Sequence, residues 1–514
     1  MLFSSSAFIV YFLPITLLGF LLFSATGLRR LVLAWLTLCS LIFYAWGAAE
    51  NLPLLIGSML FNYVVGGQLR KRPNRALLVF GICVNVGLLA YYKYAIWGVG
   101  VASSLFSADW AAPNIILPLA ISFFTFKQIA YLVDAEDGEV TEHDFLNYCL
   151  FITFFPQLIA GPITHHREML TQFDDPDHVC PRWDLMAIGA TLFLVGLFKK
   201  VMIADPFGSY TSLVFEAARR APLPLIEAWL GAVGYALQIY FDFSGYCDMA
   251  IGLGLMFGIQ LPLNFNSPYK AKSIIEYWRR WHMTLTRFLT AYIYNPMTTA
   301  LSRRRMARAE PIMSGGIMNP AAFAQLVAFP MMVTMLVAGV WHGAGWQFVI
   351  FGLLHGFYLV TAHAWRRYKK ARGLPLDDAG KVRVACSVLL TFVCVTIALV
   401  FFRAADVSSA MNVVSGMAGL NGVKPPPEIA AYLGTIIAIF LFVVWAFPNL
   451  YEWLGAYPTA LDFKVRDREP TGRWSWLVVW QPRVVTGLIL GVIGALTLLR
   501  SFSGAPAEFI YSQF

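Results

Sequence analysis

The sequence predicts an all-α polytopic membrane protein, and three observations carry that prediction. Apolar stretches of helix length recur from residue 7 to residue 500, only 13% of the 514 residues are charged, and 58% are hydrophobic. An ordinary soluble domain carries about 25% charged residues. No long polar insert divides the apolar stretches, so one transmembrane domain is expected over 1–500, with a C-terminal tail over 501–514.

A hydrocarbon core of roughly 30 Å requires about 20 apolar residues of helix. The first stretch, 7–23, lacks a basic leader and a small-residue cleavage site, and further apolar stretches follow it. It therefore reads as a retained helix, with no signal peptide removed. The later stretches are 31–46, 52–66, 76–97, 115–133, 146–160, 185–204, 226–241, 248–259, 324–341, 348–365, 384–402, 430–447 and 484–499. Several are too short to span and are expected to be re-entrant or interfacial, which leaves roughly 11 crossings. The densest basic loops, 70–75, 303–308, 366–372 and 464–473, belong in the cytoplasm by the positive-inside rule. Arg29 and Arg30 agree, which places the N-terminus outside, and one further crossing through 484–499 places the tail outside as well. Both termini are thus expected on the outer, periplasmic face.

The formal net charge of +9 is explained by these loops without invoking nucleic acid. Six carboxylates in 134–144 (Asp134, Glu136, Asp137, Glu139, Glu142 and Asp144) read as a solvated loop. The seven cysteines (Cys39, Cys83, Cys149, Cys180, Cys247, Cys386 and Cys394) form no C-x-x-C pair and no zinc spacing, so they read as apolar filler and no metal is expected.

A charged side chain at the centre of an apolar helix costs roughly 2.5–3.5 kcal/mol, so each one requires an explanation. His342 ends the run 324–341 in Trp341-His342-Gly343-Ala344-Gly345-Trp346. The glycines permit unusual backbone shapes and close approach, and imidazole takes a proton at neutral pH, so His342 is a candidate general base. The alternative is a histidine bonding across two helices, and the residues alone leave both open. The stretch 273–293 opens with Ser273 and Glu276 at capping-box spacing and repeats Trp278, Trp281, Leu285, Phe288 and Tyr292 at helical intervals. It is expected to be one amphipathic helix near the cytoplasmic face. Its Arg279, Arg280 and Arg287 suit either acyl-CoA phosphates or lipid headgroups, and His282 next to Trp281 suits the interface.

Tyr240-Phe241-Asp242-Phe243-Ser244-Gly245-Tyr246-Cys247-Asp248 sets two carboxylates between apolar stretches, followed by Asn264-Phe265-Asn266-Ser267-Pro268-Tyr269. Asp242 and Asp248 need partners such as Lys199, Lys200 or an arginine, and a structural polar network is expected. Alternatively, Lys199 and Lys200 snorkel from the end of their helix. His355, thirteen residues after His342, reads as structural. No G-x-S-x-G, P-loop, H-E-x-x-H or G-x-G-x-x-G occurs, so serine-hydrolase, NTPase, zinc-protease and dinucleotide readings lack their signatures.

Together these stretches resemble the membrane-bound O-acyltransferase family, in its bacterial branch that acetylates alginate and transfers D-alanine to teichoic acid. The matching residues are Ile121-Ser122-Phe123-Phe124-Thr125-Phe126, Phe154-Phe155-Pro156-Gln157-Leu158-Ile159-Ala160-Gly161-Pro162-Ile163, Gly196-Leu197-Phe198-Lys199-Lys200, the Tyr240 to Asp248 stretch, Trp278-Arg279-Arg280-Trp281-His282 and Trp341-His342-Gly343. The resemblance implies a ring of tilted helices around a thinned centre pierced by a tunnel. It also implies that His342 is catalytic, that His282 is the second histidine of the site, and that acetyl-CoA is the cytoplasmic donor, with no tightly bound cofactor. A separate periplasmic acetyltransferase protein then completes transfer to the polysaccharide.

The tail ends Phe509-Ile510-Tyr511-Ser512-Gln513-Phe514. Two phenylalanines, an isoleucine and a tyrosine gain nothing in a disordered tail, so this end is expected to dock in a groove. It resembles the F-x-Y-x-x-F ending of the same branch, which implies Tyr511 as an acyl acceptor. The leading expectation is the membrane subunit of a polysaccharide O-acetyltransferase acting on alginate, cellulose or peptidoglycan. A small-solute transporter is the rival from another class, but the repeated halves common in transporters are absent. A non-catalytic scaffold is the third, and an intact His342 weighs against it.

Overall fold

The computed structural model describes residues 1–140, 144–175, 177–314, 316–376, 380–425, 428–461, 463, 480–481, 483–504 and 509–510. Tyr511 and the basic stretch 464–473 lie outside the described residues. Helix dominates, because a backbone in lipid must satisfy its own N–H and C=O groups. In chain order the first helices are α1 (Leu13–Ser24), α2 (Arg29–Ala48), α3 (Leu52–Lys71), α4 (Arg75–Phe106), α5 (Ile121–Glu136), α6 (Phe145–Thr153), α7 (Phe155–Leu158), α8 (His166–Asp174) and α9 (Trp183–Phe198). A π-helical turn over Lys199–Ala204 leads to α10 (Asp205–Ala218) and α11 (Leu225–Met256). Then come α12 (Ile274–Trp278), α13 (Met283–Leu289), α14 (Asn295–Ala307), a hairpin of β1 (Met313–Ser314) and antiparallel β2 (Ile317–Met318), and α15 (Pro320–Phe323). The last are α16 (Phe329–His342), α17 (Trp346–Ala371), α18 (Lys381–Arg403), α19 (Val407–Met417), α20 (Glu428–Ala446), α21 (Leu450–Trp453) and α22 (Val484–Phe502).

Local sequence marks the helix starts. Asn74 Oδ1 accepts from the N–H groups of Ala76 and Leu77 to begin α4. Asp144, from the acidic stretch, does the same for Leu146 and Asn147 at α6, and proline opens α1, α3, α10, α14 and α16.

Among the described residues, eight helical stretches are long and apolar enough to cross a membrane. The fourteen apolar segments read from sequence merge into fewer stretches because breaks in hydropathy are not breaks in helix. Segments 31–46 and 52–66 lie in one stretch, Arg29–Lys71, bent at Ala48 (φ −160°, ψ 50°). The polar stretch at 240–248 connects nothing, since it lies inside the 32-residue α11. In contrast, 273–293 is not one amphipathic helix. It is broken at His282, whose backbone is left-handed (φ 43°, ψ 51°).

The chain divides into two compact units, Met1–Ile203 with Phe241–Leu263 and Leu450–Phe514, and Ala204–Tyr240 with Asn264–Asn449. In the first unit an aromatic core gathers Phe12, Phe43 and Phe155, with Phe155 centred 5.3 Å from Phe12 and 5.5 Å from Phe43. Here α9 and α11 run backbone to backbone through two glycine pairs, Gly196 with Gly245 and Gly189 with Gly252, each pair seven residues from the next. A methyl group at any of the four would meet the partner glycine's carbonyl, so only glycine admits this approach. In the second unit α16 and α17 form a hairpin in which Gly339 and Gly352 meet, where a methyl group on Gly339 would run into the Phe348 carbonyl and one on Gly352 into the Met335 carbonyl.

Candidate functional site

In the second unit, the Gly339–Gly352 contact draws α16 against α17 one turn before His342, which ends α16 and is buried. Gly343 is extended (φ −169°), a shape open to any residue. What requires glycine there is space, because a Cβ would run into the Phe348 ring. The His342 ring packs edge-on against Phe351 (5.9 Å) and Phe402 (5.0 Å) and lies 4.9 Å from Trp341. Trp341 also packs on His282, at 6.3 Å. One indole therefore touches both histidines, which lie sixty residues apart in sequence.

His282 has no exposed surface. A left-handed non-glycine residue costs roughly 1–2 kcal/mol and persists only where its surroundings impose it. Here the imposing residue is Asn264. Its Oδ1 accepts from the Thr284 N–H (3.2 Å) and hydroxyl (2.9 Å), which begins α13, and it lies 3.2 Å from His282 Nδ1. Because the Thr284 N–H can only donate, the atom facing it is the amide oxygen, so the shared proton sits on His282 Nδ1. Burial also pushes the His282 imidazole down to about 3. The ring is therefore neutral, with its basic lone pair on Nε2. Backbone bonds from Met283 N–H to Asn264 O (3.0 Å) and from Asn266 N–H to Arg280 O (2.9 Å) hold the two segments together.

The remaining residues separate by environment. Ser273 Oγ accepts from the Glu276 N–H at the start of α12. Arg280 is occupied locally, with Glu276 (2.8 Å) and the carbonyl of Asn266 (3.1 Å). Arg279 is exposed and Arg287 half-buried. His355 is buried, accepts from the Trp278 indole (3.3 Å) and packs on Phe351 (4.7 Å), the ring that also meets His342.

In the first unit, Lys199 pairs with Asp248 (2.6 Å) and Lys200 with Asp242 (2.7 Å). The geometry follows from the glycine contact. Gly245 lies midway between the two aspartates on α11, so the π-helical turn just beyond Gly196 delivers consecutive lysines to carboxylates about 9 Å apart along the helix axis. Phe509 is buried, with its ring stacked 4.5 Å from Tyr246, and the Ile510 N–H donates to Asp242 Oδ2 at 3.0 Å.

Sequence reasoning named the histidines, lysines and aspartates but gave Asn264 no role. The glycine pairs also went unread, although 189 and 196, and 245 and 252, share one seven-residue spacing.

Comparison with known proteins adds the family. The profile described as MBOAT, membrane-bound O-acyltransferase family, matches residues 135–309. The chain is similar to a peptidoglycan O-acetyltransferase from Helicobacter pylori, 40% identical over 82% of this chain and 81% of that protein. It is also similar to a probable alginate O-acetylase from Pseudomonas aeruginosa, 34% identical over 86% and 81%. A teichoic acid D-alanyltransferase from Bacillus subtilis is 28% identical over 55% of this chain and 68% of that protein.

Proposed function

Because this chain belongs to the membrane-bound O-acyltransferase family, we propose that it is the membrane subunit of a polysaccharide O-acetyltransferase. In this reading it carries acetyl groups from cytoplasmic acetyl-CoA toward the hydroxyls of an exported polysaccharide. The observation that carries the reading is the meeting of His282 and His342 at one indole inside an apolar, ring-lined interior. Such a site excludes the water that would hydrolyse a thioester.

The reaction is acyl transfer. A hydroxyl oxygen attacks the thioester carbonyl carbon, His342 takes the hydroxyl proton, the C–S bond breaks, and the thiolate leaves and takes a proton to become the CoA thiol. His282 is neutral and directs Nε2 from a fixed ring. In this reading Arg279 and Arg287 meet the donor's phosphates, and Arg280 pairs with Glu276.

The acceptor class follows the relatives, whose names refer to peptidoglycan and alginate. The membrane is a bacterial inner membrane with both termini periplasmic, following the basic loops. Tyr511 takes the acetyl first and passes it to a periplasmic partner protein or to the polymer. A phenol has an ordinary pKa of about 10, so it needs a base to attack, and its ester is then a good donor.

The test is His342→Ala, measured as base-released acetate on the exported polysaccharide. We expect a loss of about 10²–10⁴-fold with normal accumulation of the protein in the membrane. Wild-type acetylation would sink the mechanism.

A further inference from the structure

The Lys200–Asp242 pair has a feature that a purely structural ion pair does not need. Asp242 divides its carboxylate between two tasks. Oδ1 meets the Lys200 ammonium at 2.7 Å, and Oδ2 accepts the main-chain N–H of Ile510 at 3.0 Å. Both side chains are buried, Lys200 at 7% and Asp242 at 1% exposure, so the bond to Ile510 forms where no water competes and the acceptor carries charge. Two residues of α11 on either side of Ser244 complete the contact. Tyr246 stacks on Phe509 at 4.5 Å, and Phe243 lies 5.9 Å from the same ring. The opposite neighbour of Tyr246 is Phe3, stacked at 4.8 Å, and Ser501 donates to the carbonyl of Ser4. Residues near both chain ends thus converge on Tyr246.

We propose that Asp242, held by Lys200 and flanked by Phe243 and Tyr246, is the receptor for the C-terminal segment of this chain. Phe509 supplies the side chain that selects the segment. The main-chain bond at Ile510 fixes its register one residue before Tyr511. Asp242 is therefore a positioning residue for the acyl relay, and this inference rests on the Tyr511 reading given above. Charge is essential to the arrangement. Without Lys200 the buried carboxylate would lose the counter-ion that holds Oδ1, and with it the placement of the oxygen that accepts from the amide.

Hydrogen exchange at the Ile510 amide tests the docking without reference to activity. It is measured on the full-length protein in detergent by mass spectrometry with fragmentation, for wild type, Phe509→Ala and Asp242→Asn. We expect exchange about tenfold or more faster in both variants, the value of one charge-assisted bond. Phe509→Ala leaves the ion pair intact, so it reports even if Asp242→Asn accumulates poorly. Unchanged protection in Phe509→Ala, or in a folded Asp242→Asn, overturns the proposal.

Polysaccharide acetylation by Tyr511→Phe separates the two readings. If Tyr511→Phe acetylates normally while Phe509→Ala loses protection, the receptor stands and the relay falls. If Tyr511→Phe is inactive while protection survives Phe509→Ala, the relay stands and the receptor falls.

Discussion

Lys199, Lys200, Asp242 and Asp248 in one unit and His282, His342 and His355 in the other are polar groups held inside the protein, yet they are accommodated by opposite means. The first four are charged and cancel in pairs, each oxygen 2.6 or 2.7 Å from its nitrogen. The histidines are set among rings: Trp341, Phe351 and Phe402 around His342, and Trp278 and Phe351 around His355. A charge pair fixes position, because neither partner can leave without exposing the other to an apolar interior. A neutral imidazole fixes nothing by charge. It needs a neighbour to set its tautomer, and its unprotonated nitrogen can accept a proton from a reacting group. Charge pairing fixes position in the first region, the proposed proton chemistry belongs to the second, and each assignment can be broken.

The largest stability effect is expected in the charged region. Lys199→Met leaves Asp248, 2% exposed, without its counter-ion and is expected to cost about 3–5 kcal/mol. The thermal midpoint in detergent falls accordingly. Lys199→Met combined with Asp248→Leu removes both charges and recovers most of that loss. A single variant as stable as wild type would mean that the pair does not hold the helices.

The corresponding change in the histidine region acts on rate. Asn264→Ala releases the His282 ring and is expected to lower turnover by up to about 10²-fold while the protein accumulates. Asn264→Asp keeps the acceptor oxygen and adds a negative charge beside Nδ1. That charge favours the protonated ring, so the folded pKa of His282 rises from about 3. Activity in Asn264→Asp is then lost on acidification at a higher pH than in wild type. Wild-type turnover in Asn264→Ala would remove Asn264 from the mechanism.

The smallest effect sets the baseline for both. Asp406 Oδ1 accepts from the Ser409 N–H (2.7 Å) and hydroxyl (2.9 Å) at the exposed start of α19. The Ser409 N–H holds this carboxyl below its ordinary value of 3.8. Its contribution is therefore present above that pH and lost as pH falls below it. Asp406→Ala is expected to cost roughly 0.5–1 kcal/mol, measured by the same thermal midpoint, with the difference from wild type vanishing in acid. A larger cost would place Asp406 among the buried charges.

Composition and hydropathy by themselves determined that this chain is helical and built for lipid, because an apolar backbone segment in a membrane has almost no alternative to helix. Individual side chains also announced themselves. A lysine pair, two aspartates and a histidine beside glycines are conspicuous in a chain with 13% charged residues. The helix starts at Asn74 and Asp144 follow from bonds within three residues, and so depend on sequence alone.

Only the tertiary structure decided which of these residues meet. Asp242 and Asp248 read as a polar interruption between two helices, yet the helix runs through them because Lys199 and Lys200 neutralise them from outside it. The periodic aromatics of 273–293 read as one helix, but Asn264 imposes a left-handed break at His282. The common reason is that a helix propensity of a few tenths of a kcal/mol per residue is outweighed by one buried bond or ion pair. The partners in those bonds lie eighteen to forty-nine residues away along the chain.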